Sequence, residues 1–273
     1  MVTWEWCHSR GLSYITLPKW QEQGLTVAIT ARTGGLSKGD YASLNLALHV
    51  GDDKETVLAN RERLASALSI SLSDMVAASQ VHKTNVAVVT GHDRGRGMVD
   101  NLSPLPETDA MVTDCEGIFL TAFFADCVPI LLFDPRRRVV GLVHSGWKGT
   151  MGRIAQGAVR VMQEQFGSRP SDIQVFLGPA IGGCCYEVDS SLADRVVNTL
   201  HVDAGYLVER RMGRSYWHLV RTNYHILEIS GIPRQNMEAS GICTRCNQSL
   251  FYSHRGSGGR TGRFAVVLGL NKR

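Results

Sequence analysis

The stretch that decides the fold is ADCVPILLFDPRRRVVGLVHSGWKGT, residues 125–150. Val128 to Phe133 and Val139 to Val143 are short, continuous apolar runs, which read as buried strands. Between them Asp134 and Pro135 stand as in the first two positions of a type I turn, so the two runs form a hairpin. A two-residue loop at Pro135-Arg136 sets Cys127 directly opposite His144, with Cβ atoms about 5 Å apart on one face. A longer loop shifts that register. The run Arg136 to Arg138 reads as a solvated hairpin tip.

Upstream, Ile118 to Phe124 is a further buried strand, interrupted at Ala125-Asp126-Cys127. Downstream, Ser145 to Thr150 reads as a short loop with two glycines. The spacing of Ile154, Ala158, Val159, Met162 and Phe166 predicts a helix from about 152 to 166. Farther out, 25–30 reads as a strand and 32–46 as a glycine- and serine-rich loop. Asp52-Asp53 cap a helix over 55–68. Residues 86–89 read as a strand, 91–108 as a long surface loop, 175–177 as a strand, 190–200 and 219–229 as helices, and 264–270 as a closing strand. Strands and helices are interspersed without strict alternation, and no repeat is visible. The expected fold is α+β or α/β, a single domain over 1–273 with mixed β-sheets flanked by helices.

The chain has 273 residues, 44% of them apolar and 20% charged, ordinary for a globular protein. A net charge of +4 is too small to indicate a nucleic-acid protein, although a mild positive field suits a small anionic substrate. The first twenty residues have no apolar core of a signal peptide, and no apolar run reaches the ~18 residues of a membrane span. Seven cysteines without an export signal are expected as reduced thiols of a cytoplasmic protein.

A thiol and an imidazole meeting at a strand end can share a metal ion or act as nucleophile and base. The bland alternative is that Cys127 is a small buried hydrophobe and His144 a satisfied core histidine. Both abut polar, glycine-bearing loops, where sites are normally built, and this favours the functional reading. His82, in the segment Ser79-Gln80-Val81-His82-Lys83, would complete a three-ligand set with an open fourth position. Spacing alone does not choose His82 over His92 or His225. The 146–150 loop with Lys148 reads equally as an anion site or as a tight turn. Cys243-Thr244-Arg245-Cys246 with His254 is a weak metal signal, because one Cys-x-x-Cys lacks a matching pair. Arg255, Arg260 and Arg263 either bind phosphate or are solvated.

These residues resemble a known family. Ser79-Gln80-Val81-His82, Ala125 to Ile130 and Val143 to Thr150 are similar to the polyphenol-oxidoreductase or laccase-domain family, also called the YfiH/YlmD-type purine nucleoside phosphorylases. Ser43-Leu44-Asn45, Asn60-Arg61, Gly178 to Ile181, Cys185 to Val188 and Thr261 to Arg263 extend the match in order along nearly the whole chain. Gly183 departs from it, standing where the family often has proline, and the 255–260 loop is unusually rich in glycine.

The resemblance implies an α/β sandwich-like fold and a zinc site at His82, Cys127 and His144, with copper a less favoured metal. It implies phosphorolysis of adenosine, inosine, guanosine and methylthioadenosine, and deamination of adenosine. Purine nucleosides and phosphate are then the partners, rather than nucleic acid or a membrane. Asp126 is the candidate proton carrier. Asn45, Arg61, Gln80, Lys148, Gly149, Thr150 and Arg263 are candidate substrate or phosphate contacts. A blue multicopper oxidase needs many histidines in His-x-His pairs, whereas this chain has nine histidines and no such pair. Rival readings are a cysteine hydrolase acting on cell-wall precursor peptides, with Cys127 and His144 as nucleophile and base, a polyphenol oxidase, and a non-catalytic nucleoside- or partner-binding module.

Overall fold

Strands covered on both faces carry continuous apolar runs instead of alternation. Phe119–Phe124, Val128–Asp134 and Val139–Ser145 are buried at every position for this reason. The computed structural model describes residues 3–99, 102–200 and 204–273, so positions 100 and 101 of the expected 91–108 loop lie outside the described residues.

Two six-stranded mixed sheets stack face to face. The first runs Glu5–Ser9, Leu12–Thr16, Leu25–Thr30, Phe264–Leu270, Phe119–Phe124, Met75–Ala77. The second runs Met237–Ala239, Gln174–Leu177, Val128–Asp134, Val139–Ser145, Ala110–Thr113, Val86–Val88. Val27, Leu120 and Val266 of the first meet Leu131, Phe133, Val140 and Phe176 of the second in the layer between them. The outer face of the first sheet is covered by the helix Lys54–Leu68, through Leu64 and Ala65. The outer face of the second carries Ile154–Phe166, with Leu219–Ile229 packed beside that helix and Ser190–Leu200 packed on Arg214–Trp217, all in one apolar cluster with Ile130, Leu132 and Val143. A three-stranded sheet of Glu187–Val188, Arg214–Trp217 and Val208–Arg211 joins that side. The result is an α+β, sandwich-like arrangement of helix, sheet, sheet and helices. Asp53 caps its first long helix, its side chain accepting from Thr56 N at 2.9 Å.

Two local expectations need correction. The central hairpin pairs Asp134 with Val139, so its loop is the four residues 135–138 instead of two. Asp134 Oδ1 accepts from the backbone N–H groups of Arg136 at 2.8 Å and Arg137 at 3.1 Å, and this side-chain turn accommodates the longer loop. His144 therefore pairs with Pro129, and Cys127 lies one diagonal step away. The tip is also more than solvated, since Arg136 meets Asp172 at 3.3 Å and Arg138 meets Glu116 at 3.2 Å. Secondly, the expected loop after His144 contains a one-turn helix, Trp147–Met151, separated from Ile154–Phe166 by Gly152 and by Arg153 in the left-handed region.

The strand interruption at 125–127 is the point where the chain leaves the first sheet and enters the second. Asp126 makes that corner at φ +89°. Side chains of Leu131, Phe133, Val140 and Leu142 point between the sheets, so by alternation Cys127 and His144 do as well. Both lie at the end of the inter-sheet layer.

The sandwich reading makes a stability prediction. Phe133 is 1% exposed and its ring lies 5.5 Å from that of Trp20. Phe133→Ala is expected to lower unfolding free energy by about 3–5 kcal/mol in urea titration. A loss below about 1 kcal/mol would contradict a tightly packed inter-sheet layer.

Candidate metal centre

The donor atoms of His82, Cys127 and His144 all lie within 4.8 Å of one another. Sheet alternation delivers Cys127 and His144. His82 comes from the 79–85 segment, and a buried acid that no sequence motif marks, Asp109, holds it there. Asp109 precedes the strand Ala110–Thr113, and its side chain is 0% exposed. Its carboxylate accepts from the backbone N–H groups of Val81 at 3.2 Å, His82 at 2.9 Å and Lys83 at 2.8 Å. It also meets His144 Nδ1 at 2.9 Å. The contact fixes the imidazole's orientation and turns Nε2 toward the thiol, as a carboxylate behind a metal-ligating histidine does.

The electrostatics agree. Burial would raise the Cys127 pKa, but the imidazoles of His144 and His82 outweigh it and bring it down to about 6. Burial would lower that of His144, but the Cys127 thiolate and Asp109 carry it up to about 9. A thiolate stabilised by two imidazoles is the form that ligates a metal. The imidazole rings stand nearly perpendicular, with centroids 4.8 Å apart. His92 and His225 lie elsewhere, in the 91–93 turn and on the Leu219–Ile229 helix.

The trio opens into a cavity of about 450 Å³, within the range of small-molecule sites. Phe123, Trp147, Ile181, Tyr186 and Leu219 form its apolar and aromatic walls. Arg255, Arg263, His49 and His254 supply cations and donors. Of these, His49, Phe123 and Leu219 carry no sequence signal that separates them from ordinary core or surface residues, whereas Tyr186 lies in the matched segment Cys185 to Val188.

The sequence-predicted contacts divide. Gln80, Asp126 and Arg263 line the cavity. The Gln80 side chain pairs with both backbone groups of Phe123, at 2.9 Å each, and so holds the end of the first sheet. Asp126 accepts from Thr244 Oγ1 and Arg255 N, both at 2.6 Å. Asn45 is fully buried and positions Arg263, whose N–H it accepts at 2.9 Å. Arg61, Lys148, Gly149 and Thr150 are not among the lining residues. Arg61 is buried and donates to the carbonyls of Leu46 and Gly97. Thr150 is buried and bonded to Ser145 and Asn223. Lys148 is exposed over the Trp147 ring. Arg260 pairs with Asp40 at the surface.

The chain matches the family described as multi-copper polyphenol oxidoreductase laccase over residues 26–271. It belongs to this family. A purine nucleoside phosphorylase, YlmD, of Geobacillus stearothermophilus is 41% identical over 247 residues, 90% of each chain. Adenosine deaminase RL5, from an unknown prokaryote, is 34% identical over 88% of this chain and 92% of its own. The crystal structure of YfiH from Bacillus licheniformis superposes with a TM-score of 0.91 at 36% identity, covering 97% of this chain and 99% of that one. The departure of this laccase-domain chain at Gly183 has a local reason. A Cβ there would stand 2.1 Å from His218 Nδ1, so the histidine occupies the space a proline ring would need.

Two variants test the centre without removing a ligand. Asp109→Asn is expected to weaken metal binding about 10–100-fold in a competition titration, and unchanged affinity would contradict the orienting role of Asp109. Gly146 has ordinary φ, but an added Cβ would lie 2.9 Å from Cys127 Sγ and 3.2 Å from His82 Cδ2. Gly146→Ala is therefore expected to push both ligands aside and lower metal affinity in the same titration. Wild-type affinity would show that the trio does not act together.

Proposed function

We propose that the chain is a zinc-dependent purine nucleoside phosphorylase that also deaminates adenosine, accepting adenosine, inosine, guanosine and methylthioadenosine. One observation carries the reading: a Cys-His-His donor set faces a cavity lined by aromatic side chains and two arginines. One thiolate and two imidazoles suit a single zinc or copper ion. The lining has no methionine for the axial position of a blue-copper site, and its glutamine, Gln80, is engaged by the Phe123 backbone. The open side faces the cavity, as in catalytic zinc sites. Zinc at such a centre supplies Lewis acidity and activation of water.

The chain's own residues do the rest. Trp147, Tyr186 and Phe123 give the lining aromatic surface against which a purine would pack. Arg255 and Arg263 place positive charge where phosphate would attack C1′ as the base leaves. The Arg263 fork is steadied by its Nη1 bonds to the carbonyls of Thr261 at 2.8 Å and Gly262 at 3.0 Å. Asp126 is our candidate for moving a proton. Each of its oxygens accepts one hydrogen bond and keeps a further lone pair. The relatives named purine nucleoside phosphorylase and adenosine deaminase support both activities.

A second reading has its own observation. Without metal, Cys127, His144 and Asp109 form a thiolate-imidazole-carboxylate series like that of cysteine hydrolases. The second imidazole, His82, has no task in that mechanism, so the metal reading is preferred.

The test is incubation of metal-replete protein with adenosine, with and without phosphate, followed by chromatography. Adenine is expected only with phosphate, and inosine with or without it. Arg263→Ala is expected to slow phosphate-dependent base release about 10²-fold and to spare deamination. No product under either condition would overturn the proposal.

A further inference from the structure

The Cys-x-x-Cys at 243–246 has partners after all. Cys184 and Cys185, carried on a different loop, bring their thiols to it, and all four sulfurs lie within 4.8 Å of one another. Cys246 Sγ is 3.7 Å from Cys184 Sγ and 3.4 Å from Cys185 Sγ. A disulfide requires about 2.05 Å. Four thiolates around one tetrahedral zinc, with Zn–S of about 2.3 Å, stand about 3.8 Å apart. The two Cys246 separations are close to that tetrahedral edge, and all four sulfurs lie within 4.8 Å of one another.

We infer that Cys184, Cys185, Cys243 and Cys246 form a second metal site, a closed tetrathiolate zinc centre distinct from the His82-Cys127-His144 trio. The surroundings fit such a centre. Gly182 N–H donates to Cys243 Sγ at 3.2 Å, as backbone amides do toward thiolates. A Cβ at Gly182 would lie 3.1 Å from Cys184 Sγ and 3.2 Å from Cys243 Cβ, so glycine lets the two loops approach. Zinc binding releases four protons and leaves the centre with a charge of about −2. Arg211 and Arg245 stand beside it, donating to the carbonyls of Cys184 at 2.7 Å and Cys185 at 3.1 Å. Cys184 and Cys246 are exposed, and metal ligation protects such thiols from oxidation.

Four protein ligands leave no open position, so the centre is structural. What it braces is the cavity wall. Tyr186, which lines the cavity, follows Cys185 directly. Thr244, which holds Asp126, lies between the other two ligands. The backbone already laces the loops through Thr244 N to the Ala180 carbonyl at 3.0 Å. The metal would fasten that pairing at its open end.

Elemental analysis and zinc X-ray absorption on the purified full-length protein test the inference. The wild type is expected to hold two zinc ions sharing five sulfurs, one from Cys127 and four from the quartet. His82→Ala/His144→Ala is expected to keep one zinc with four sulfur neighbours, and Cys184→Ser/Cys246→Ser to keep one zinc with a single sulfur. The serine variant should also lose thermal stability, by several degrees in Tm. One zinc with one sulfur in the wild type would overturn the inference, as would iron at the quartet or disulfides among these cysteines in non-reducing peptide mapping. The wild-type sulfur count decides the matter even if a variant fails to fold, and it is independent of any activity on nucleosides.

Discussion

The carboxylate of Asp109 is the contact on which the candidate site depends. A fully buried charge is tolerable only if its lone pairs are filled. Here three consecutive backbone N–H groups and one imidazole fill them. Burial would raise the Asp109 pKa, but the His144 bond and the backbone amides outweigh it and hold the group ionised. One side chain thus bends the 81–83 segment around itself, holds His82 at a φ of +60° and sets the tilt of His144. Without it, two histidines from separate parts of the chain would have no common anchor.

The second constraint is the passage between the sheets. The chain passes between the six-stranded sheets several times, and the shortest passage, from Phe119–Phe124 to Val128–Asp134, is the tight corner 125–127. Asp126 adopts a positive-φ conformation that few residues other than glycine, asparagine and aspartate take, at a cost of about 1–3 kcal/mol. The hydrogen bonds from Thr244 and Arg255 offset that cost and draw the 244 and 255 loops onto the cavity. Strain, reactive thiol and cavity wall therefore coincide in three residues. The 243–246 loop reaches the same corner through Thr244, and Tyr186, next to Cys185, lines the cavity beside it.

Much of this architecture is legible in the amino-acid sequence. Continuous apolar runs mark the central strands because a sheet lying between another sheet and helices has no polar face to advertise. The helices over 190–200 and 219–229 and the strand 264–270 fall where periodicity puts them. The hairpin register differs by two from the two-residue-loop expectation because Asp134 bonds the turn backbone and stabilises a longer loop. The one-turn helix at Trp147–Met151 carries no periodicity to read. Arg61 and Thr150 match a family pattern, yet they act as hydrogen-bonding struts in the core, a distinction only burial reveals. Asp109 looks like any acid before a strand. The cysteine quartet is invisible in the sequence because its halves lie about sixty residues apart, and chain spacing carries no information about that meeting.

The central claim is that one metal at His82, Cys127 and His144 faces a purine nucleoside in the cavity above it. Anomalous diffraction at the zinc edge from crystals soaked with adenosine or a non-cleavable analogue tests it directly. The account predicts a zinc peak within bonding distance of all three side chains and a purine ring against Trp147 or Tyr186. A trio without metal in zinc-replete crystals, or a nucleoside bound away from this cavity, would contradict it.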